Sequence, residues 1–271
     1  MSQTPGKGGL IAAGLGWGVA LGIVLGAVLL APAVPRDSAG AGAGAGAADA
    51  QSALAEQRSE AANDLLAQES VSIVHGALTD VPVTIIRTPS AADDDVESVR
   101  WLLNAAGASD SGLVELQEKF TSQSSADELS SIVANTLPSG AQLSVNDRAP
   151  GRHAGESLGA VLFADPDTGA AAAQAADRAL VLETLQQAGF IRYAGSVVPA
   201  GAVVVVHGAS ETAGGGFGEQ MLGDFAEALG QSGTAVFATQ DADPEQIAGA
   251  ATVGMVDLES GRIGAVLAAA K

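Results

Sequence analysis

The segment "AVVVVHG", residues 202–208, contains four consecutive valines and no polar residue before its histidine. Valine is β-branched and is enriched in strands. A strand that is buried on both faces has a continuous apolar sequence, whereas a strand with one solvent-exposed face alternates apolar and polar residues. We therefore predict that 202–208 is a buried strand of a sheet covered by helices.

Segments with strand character alternate with segments with helical character on both sides of this run. The other predicted strands are 81–87, 112–117, 234–239 and 251–257. The predicted helices are 91–108, 125–137, 156–164, 169–190, 217–233 and 260–270. Such alternation is typical of a parallel sheet with helices packed on it. We expect an α/β domain with a mainly parallel sheet over residues 71–271.

The amino-terminal part contains a second, different kind of apolar run. Residues 10–31, "LIAAGLGWGVALGIVLGAVLLA", include no charged side chain. A helix of this length spans about 33 Å, and the hydrocarbon core of a bilayer is about 30 Å thick. We predict a transmembrane helix, with residues 1–9 in the cytoplasm because they carry Lys7, and with the α/β domain outside the cytoplasm. The alternative is a signal peptide cleaved at "APA", 31–33, although its apolar region would exceed the usual length of about 7–15 residues.

A row of glycines runs along this predicted helix with a step of four: Gly14, Gly18, Gly22 and Gly26. In a bilayer, small residues on one ridge allow two helix backbones to approach closely. We expect this row to pack against another helix and to support a homo-oligomer. The alternative is chance, since the chain contains 35 glycines among 271 residues.

Two segments connect the predicted anchor to the domain. Residues 32–48 include "AGAGAGAA" and are predicted to be a flexible linker. Residues 49–70 are rich in helix formers, and Leu54, Arg58, Ala61 and Leu65 follow the alternating spacing of a heptad seam. We predict a short coiled-coil stalk, with an exposed single helix as the alternative.

Charge and cysteine content exclude several classes of function. The chain has 31 acidic against 12 basic residues and a formal net charge of −19, so nucleic acid is not an expected partner. It has no cysteine, which rules out disulfides, thiolate nucleophiles and cysteine metal sites.

Three acidic or glycine-rich motifs invite a chemical interpretation, and each has a structural alternative. "VLFADPDTG" resembles a phosphatase loop through Asp165 and Asp167, but its pattern favours an Asp-Pro-Asp turn assisted by Thr168. The loop at 208–218 contains Gly214, Gly216 and Gly218 in the context of a phosphate cradle, but it lacks the Gly-Lys-Ser/Thr sequence of a P-loop, and a plain flexible loop is the alternative. The acids of "ADDDVE", 92–97, lack the spacing of a calcium loop and favour the first turn of a helix.

The histidines are the remaining candidates for metal ligands. His75, His153 and His207 are scattered, and none belongs to a paired metal motif. We treat them as weak candidates for copper ligands. No arrangement of serine, histidine and acid can be recognised from spacing alone, so we expect no enzymatic activity and no resident cofactor.

The order of motifs is more informative than any one of them. A glycine-rich membrane helix containing "GIVLGAVLL" precedes "DVPVTIIRTPSAADDDVESVRWLLNAAGA", then "LQQAGFIRY", "PAGAVVVVHG" and "ATVGMVDLESGRIGAVLAA". In this order the chain resembles the actinobacterial copper transport protein B family over most of residues 10–270. The resemblance implies a single-anchor protein of the cell envelope, with no catalytic motif to transfer.

Two functions follow from that resemblance. The first is copper efflux or homeostasis, with copper as a transported or loosely bound ion. The second is an oligomeric scaffold for cell division or wall remodelling, acting with a membrane or envelope protein partner. A phosphate-handling enzyme that uses Asp165, Asp167 or the 214–218 loop is a third hypothesis.

Overall fold

The computed structural model describes residues 43–165, 168–210 and 216–271. The chain divides into two units, and the second is Glu56–Lys271. The described part of the first unit, 43–55, lies within helix α1, Ala43–Val74. This helix begins inside the segment expected to be a linker, because alanine is the strongest helix former and glycine only weakens a helix.

Six strands form one sheet in the order β3-β2-β1-β4-β5-β6. The strands are β1 Pro82–Arg87, β2 Ser109–Leu116, β3 Ile191–Tyr193, β4 Ala202–His207, β5 Thr234–Thr239 and β6 Ala251–Val253. All neighbouring pairs are parallel except β2 and β3. The predicted mainly parallel sheet is confirmed. The short antiparallel edge strand β3, which directly follows the predicted helix 169–190, was not predicted.

The helices after α1 lie between the strands and after β6, and four of them follow one another between β2 and β3. In chain order they are α2 Asp93–Ala105, α3 Glu118–Thr121, α4 Ala126–Thr136, α5 Pro150–Leu162, α6 Ala175–Gln187, α7 Phe217–Ser232 and α8 Glu259–Ala269. Helix α5 confirms the helical interpretation of 156–164 and begins earlier than predicted. Helix α6 begins six residues after Gly169, because Ala164 and Ala171 pair in an antiparallel bridge and the N–H of Asp165 donates to the carbonyl oxygen of Ala170.

Strand β4 lies in the middle of the core, as its apolar run predicts. Val203 and Val205 face a cluster that includes side chains of α4, α5, α6 and α7. Val204 and Val206 face the opposite cluster, which includes side chains of α1, α2 and α8. Both faces of the sheet are therefore covered by helices, which is why no polar residue alternates with the valines.

Helix α5 packs very closely on α7 through a row of glycines with a step of four. A Cβ atom at Gly151 would lie 2.2 Å from the carbonyl oxygen of Met221, and one at Gly155 would lie 2.5 Å from that of Phe225. At Gly159 it would lie 2.7 Å from the Cβ of Ser232. The spacing of the glycines in the predicted membrane helix thus occurs in the domain as well, where it permits direct contact between two helix backbones.

The carboxyl-terminal half of α1 is part of the domain. Asn63 accepts a hydrogen bond from the backbone N–H of Glu259 at 2.8 Å, and Ser70 and Val74 are buried. Successive residues of a helix are rotated by about 100° about its axis. Arg58, Ala61 and Leu65 therefore lie on the face of α1 opposite to the face that contacts the domain. These three residues are exposed. The predicted seam therefore faces away from the domain, and its pairing stays a prediction.

The predicted membrane helix, with Gly14, Gly18, Gly22 and Gly26, lies outside the described residues. Within 43–165, 168–210 and 216–271, no helix combines the length and the apolar character needed to cross a bilayer.

Candidate functional site

The order of the strands places a polar site at the centre of the sheet. Strand β1 pairs with β4 on one side and with β2 on the other, so the chain leaves β1 and β4 in opposite directions across the sheet. Ligands of open α/β sheets bind in the crevice at the carboxyl ends of the strands flanking such a switch point. Thr88 and Ser90 follow β1, and His207 ends β4, so these side chains meet at this crevice.

His207 is held from the β1 side by two hydroxyl groups. Its Nδ1 lies 3.0 Å from Thr88 Oγ1 and 3.1 Å from Ser90 Oγ, and its side chain is only 2% exposed. The backbone N–H of Gly208 donates to Ser90 Oγ at 3.3 Å. A Cβ at Gly208 would lie 2.3 Å from the carbonyl oxygen of Ser90, so only glycine permits this approach of the two loops.

A carboxylate faces the other nitrogen of the imidazole. Glu219, in the first turn of α7, places Oε2 3.2 Å from His207 Nε2. The two groups are close, but their alignment falls short of a regular hydrogen bond. Burial lowers the pKa of His207, although the charges of Glu219 and Asp241 act in the opposite direction. The imidazole is therefore neutral near pH 7, and one of its nitrogens can accept a proton.

Asp241 lies beyond the end of β5 and is fixed by hydroxyl and amide donors. Ser210 donates its backbone N–H at 3.1 Å and its hydroxyl at 2.7 Å to this carboxylate. Thr239 Oγ1 lies 3.1 Å from the same carboxylate. Burial acts to raise the pKa of Asp241, but the hydrogen bonds from Ser210 and Thr239 outweigh it and the pKa is lowered. Asp241 is therefore negatively charged near pH 7 and lies close to His207.

A cavity of about 880 Å³ opens on the Glu219 and Asp241 side of the site. Its acidic lining residues are Glu219, Asp224, Glu227, Asp241, Asp243 and Glu245. Burial and the neighbouring charges of Asp147 and Glu227 raise the pKa of Asp224 against the effect of Arg152. The volume is within the range of small-molecule sites, and the lining favours positively charged or neutral occupants.

The histidines predicted as metal ligands lie in three different environments. His75 is exposed just after α1, and His153 on α5 places Nε2 2.9 Å from the carbonyl oxygen of Ser144. His207 is the buried one described above. Across the three described stretches of chain, no three His, Asp or Glu side chains are grouped in a way that could hold a metal ion.

The acidic motif at 92–97 is distributed among separate ion pairs. Asp93 pairs with Arg87, whereas buried Asp95 accepts hydrogen bonds from Arg262 at 3.1 Å and Gln240 at 2.7 Å. These carboxylates do not converge on one point, which agrees with a role in the first turn of α2 rather than with a calcium loop.

The phosphatase interpretation of "VLFADPDTG" requires a strand before Asp165, but the structure has a helix there. Helix α5 ends at Leu162, just before Asp165. Asp165 accepts hydrogen bonds from the backbone N–H and the hydroxyl of Thr168 at 2.8 and 2.9 Å, as expected for an Asp-initiated turn. Asp167 and Gly214 lie outside the described residues, and Gly216 is the residue before α7.

Sequence reasoning found His207 but missed its neighbours Thr88, Ser90 and Glu219. A usable signal was present, because "RTPS" and "HG" lie at the carboxyl ends of two predicted parallel strands, and these ends share one edge of the sheet. What was missing was the strand order, which decides that these two ends are adjacent.

Comparison with known proteins identifies the family. Residues 10–271 match the family described as "Copper transport outer membrane protein, MctB". Relatives named copper transporter MctB in Mycobacterium bovis and Mycobacterium tuberculosis are each 35% identical over 237 residues, covering 81% of this chain and 75% of the relative. The relative of the same name in Mycobacterium leprae is 33% identical over 218 residues, covering 72% of this chain and 68% of the relative. The chain belongs to the MctB family of copper transport outer membrane proteins.

Proposed function

We propose that this protein is a membrane-anchored envelope protein that acts in copper homeostasis. The observation that carries the proposal is the family match over 10–271, which includes both the apolar run at 10–31 and the whole α/β domain. In this proposal the chain crosses the membrane once at 10–31, with its amino terminus in the cytoplasm and the domain outside.

Copper is the cargo in this proposal and not a resident cofactor. The acidic cavity supplies carboxylates that attract a cation electrostatically, and the formal charge of −19 extends that attraction over the surface. Selective copper sites use thiolate, thioether or clustered imidazole ligands, and this chain has no cysteine. We therefore propose loose, exchangeable binding, and a copper role that needs no chemical turnover.

The decisive experiment is deletion of the gene in the bacterium that encodes this chain. We expect slower growth in copper-supplemented medium and normal growth without added copper. Reintroduction of the full chain should restore tolerance, whereas a chain carrying Asp241→Asn, Asp243→Asn and Glu245→Gln should restore it less. Equal restoration by both chains would contradict the role of the cavity, and a growth defect independent of copper would contradict the copper function.

A scaffold of the cell envelope is the second candidate, and a specific observation favours it. Arg58, Ala61 and Leu65 form an exposed face on α1, opposite the face that packs on the domain, and Leu65 is 62% exposed. We propose that this face pairs with a second copy of the chain, with the glycine row of 14–26 continuing the contact in the membrane. In this case the same deletion would give chained, unseparated cells without added copper.

A further inference from the structure

We propose that Ser90, His207 and Glu219 form a nucleophile–base–acid triad that transfers acyl groups from small esters to water. This activity goes beyond the copper role and is independent of it. It also departs from the expectation, drawn from the sequence, that the chain is not an enzyme. That expectation rested on the absence of a recognisable spacing, and the three residues come from separate elements whose neighbourhood only the sheet creates.

Ser90 is the nucleophile because its side chain is exposed to solvent and its hydroxyl group lies next to a base. It is exposed, whereas Thr88, the other hydroxyl near the imidazole, is fully buried. Ser90 Oγ lies 3.1 Å from His207 Nδ1, within the range for a nucleophile and its base. Thr88 Oγ1 lies 3.3 Å from Ser90 Oγ, so it can donate to this oxygen and position it while Ser90 donates to Nδ1.

His207 has the properties of a general base. With Nδ1 accepting the serine proton, Nε2 carries the ring hydrogen and faces the carboxylate of Glu219 at 3.2 Å. A carboxylate at that nitrogen selects this tautomer and stabilises the imidazolium that forms when the base takes a proton. The imperfect alignment of Glu219 is common in unliganded sites, where such contacts tighten when substrate binds.

The proposed reaction balances with water as the only co-reactant. Ser90 Oγ forms a bond to the ester carbonyl carbon while its proton passes to His207 Nδ1. The bond from that carbon to the alcohol oxygen breaks, and the proton on Nδ1 goes to the departing alcohol. Water then attacks the acyl carbon and gives one proton to His207 Nδ1. The bond from that carbon to Ser90 Oγ breaks, the acid is released, and the proton on Nδ1 returns to Ser90 Oγ.

The charges around the site define the class of ester. Glu219 and Asp241 lie next to His207, and the adjoining cavity is lined by six carboxylates. An anionic ester would be repelled, whereas a neutral or cationic ester would be accepted or attracted. The substrate class is therefore a small ester without negative charge.

The first test uses the full chain in detergent, a fluorophosphonate probe and 4-nitrophenyl acetate. Mass spectrometry should place one phosphonate adduct on Ser90, and hydrolysis should be slower for the 4-nitrophenyl hemiester of succinic acid, which is anionic. The variant Ser90→Ala should lose the adduct. Ser139→Ala removes an exposed serine outside the site and should leave labelling and hydrolysis unchanged.

Two further variants separate a triad from a merely structural contact. His207→Gln should slow hydrolysis by about 10²–10⁴-fold, the range of general base catalysis. Because His207 is buried and this variant can unfold, Glu219→Gln, at a partly exposed position, carries the test independently and should slow hydrolysis at least about tenfold. The rate for the unsubstituted chain should fall as the pH decreases and His207 takes a proton.

The proposal is overturned by either of two results. One is the absence of any adduct on Ser90 under conditions that label a known serine esterase to completion. The other is an adduct that forms on Ser90 at the same rate in folded Glu219→Gln as in the unsubstituted chain, since reactivity would then not depend on the triad.

Discussion

At the scale of single residues, His207 is buried in an environment that disfavours a charged imidazole. It sits at the end of a strand whose other five residues are buried alanine and valine, and Phe237 lies against its ring with 5.4 Å between ring centres. An imidazolium there would lose most of its hydration, which is costly in a medium of low dielectric constant. Glu219 and Asp241 reduce this penalty but do not remove it.

This environment predicts how stability depends on pH. A histidine whose pKa is lower in the folded state binds a proton more weakly there than in the unfolded chain, where the pKa is about 6.5. The free energy of unfolding should therefore decrease as the pH falls from 7.5 to 5.5, and this window lies above the range in which carboxylates ordinarily titrate. Chemical denaturation at several pH values measures the slope.

The variant His207→Asn keeps a polar group near Thr88 and Ser90 but cannot titrate. We expect its slope to be flatter than that of the unsubstituted chain. His75→Asn is the matched control, because His75 is exposed, and it should keep the original slope. Equal slopes in the His207→Asn variant and the unsubstituted chain would show that His207 does not cause the pH dependence.

At the scale of secondary-structure elements, the closest contact is the packing of α5 on α7. Gly151 and Gly155 allow the backbone of α5 to approach carbonyl groups of α7, and Gly159 makes room for the side chain of Ser232. Helix α7 in turn carries Glu219 in its first turn, so this contact helps to position the acid of the candidate site. The glycines of α5 therefore contribute to the geometry of the site, because they allow the close packing that positions α7.

This packing predicts opposite effects of the same substitution at two helical glycines. In Gly155→Ala the new Cβ would lie 2.5 Å from the carbonyl oxygen of Phe225 and 2.7 Å from the Cβ of Ala228, and neither atom can rotate away. We expect a loss of about 1–3 kcal/mol in the free energy of unfolding. In Gly223→Ala nothing lies within 4 Å of the new Cβ, so better helix propensity should stabilise by up to about 1 kcal/mol.

Thermal and urea unfolding of the two variants provide the measurement. A stabilising effect of Gly155→Ala equal to that of Gly223→Ala would mean that α5 and α7 separate without cost. The close helix contact would then not be a determinant of the fold.

At the scale of the whole molecule, the domain buries both faces of its sheet and leaves one face of α1 uncovered. Leu65 is 62% exposed on that face, and Leu54, in the amino-terminal unit, is 45% exposed. Leu54 and Leu65 occupy the two ends of the predicted heptad seam, and exposed apolar side chains at such positions are typical of a helix that pairs with another helix. The proposed partner is a second copy of the same chain.

The proposed pairing predicts the oligomeric state of the full chain in detergent. Light scattering should give a mass above that of one chain, and Leu54→Ser with Leu65→Ser should shift the population towards the monomer. Leu267→Ser alters a leucine that is 38% exposed on α8 and should leave the mass unchanged. A monomeric unsubstituted chain would contradict the pairing.

The sequence predicted the regular elements well where local pattern and burial agree. Strand β5 occupies the predicted residues 234–239, and β4 ends one residue before its predicted limit. The prediction was wrong for 169–174, where alanine-rich sequence favours a helix but hydrogen bonds with the segment before it form a bridge and a turn. Helix α3, of four residues, and strand β3, of three, were not predicted, whereas β6, also of three residues, lies within the longer apolar segment predicted as a strand at 251–257.

By itself the sequence determined the α/β class, the buried nature of β4, the acidic character and the family resemblance. Each of these depends on composition or on patterns within a short window. Only the tertiary structure decided the candidate site, because Ser90 and His207 are 117 positions apart and meet through the pairing of β1 with β4. Strand order depends on how whole layers pack, and no local pattern in either strand specifies its neighbour.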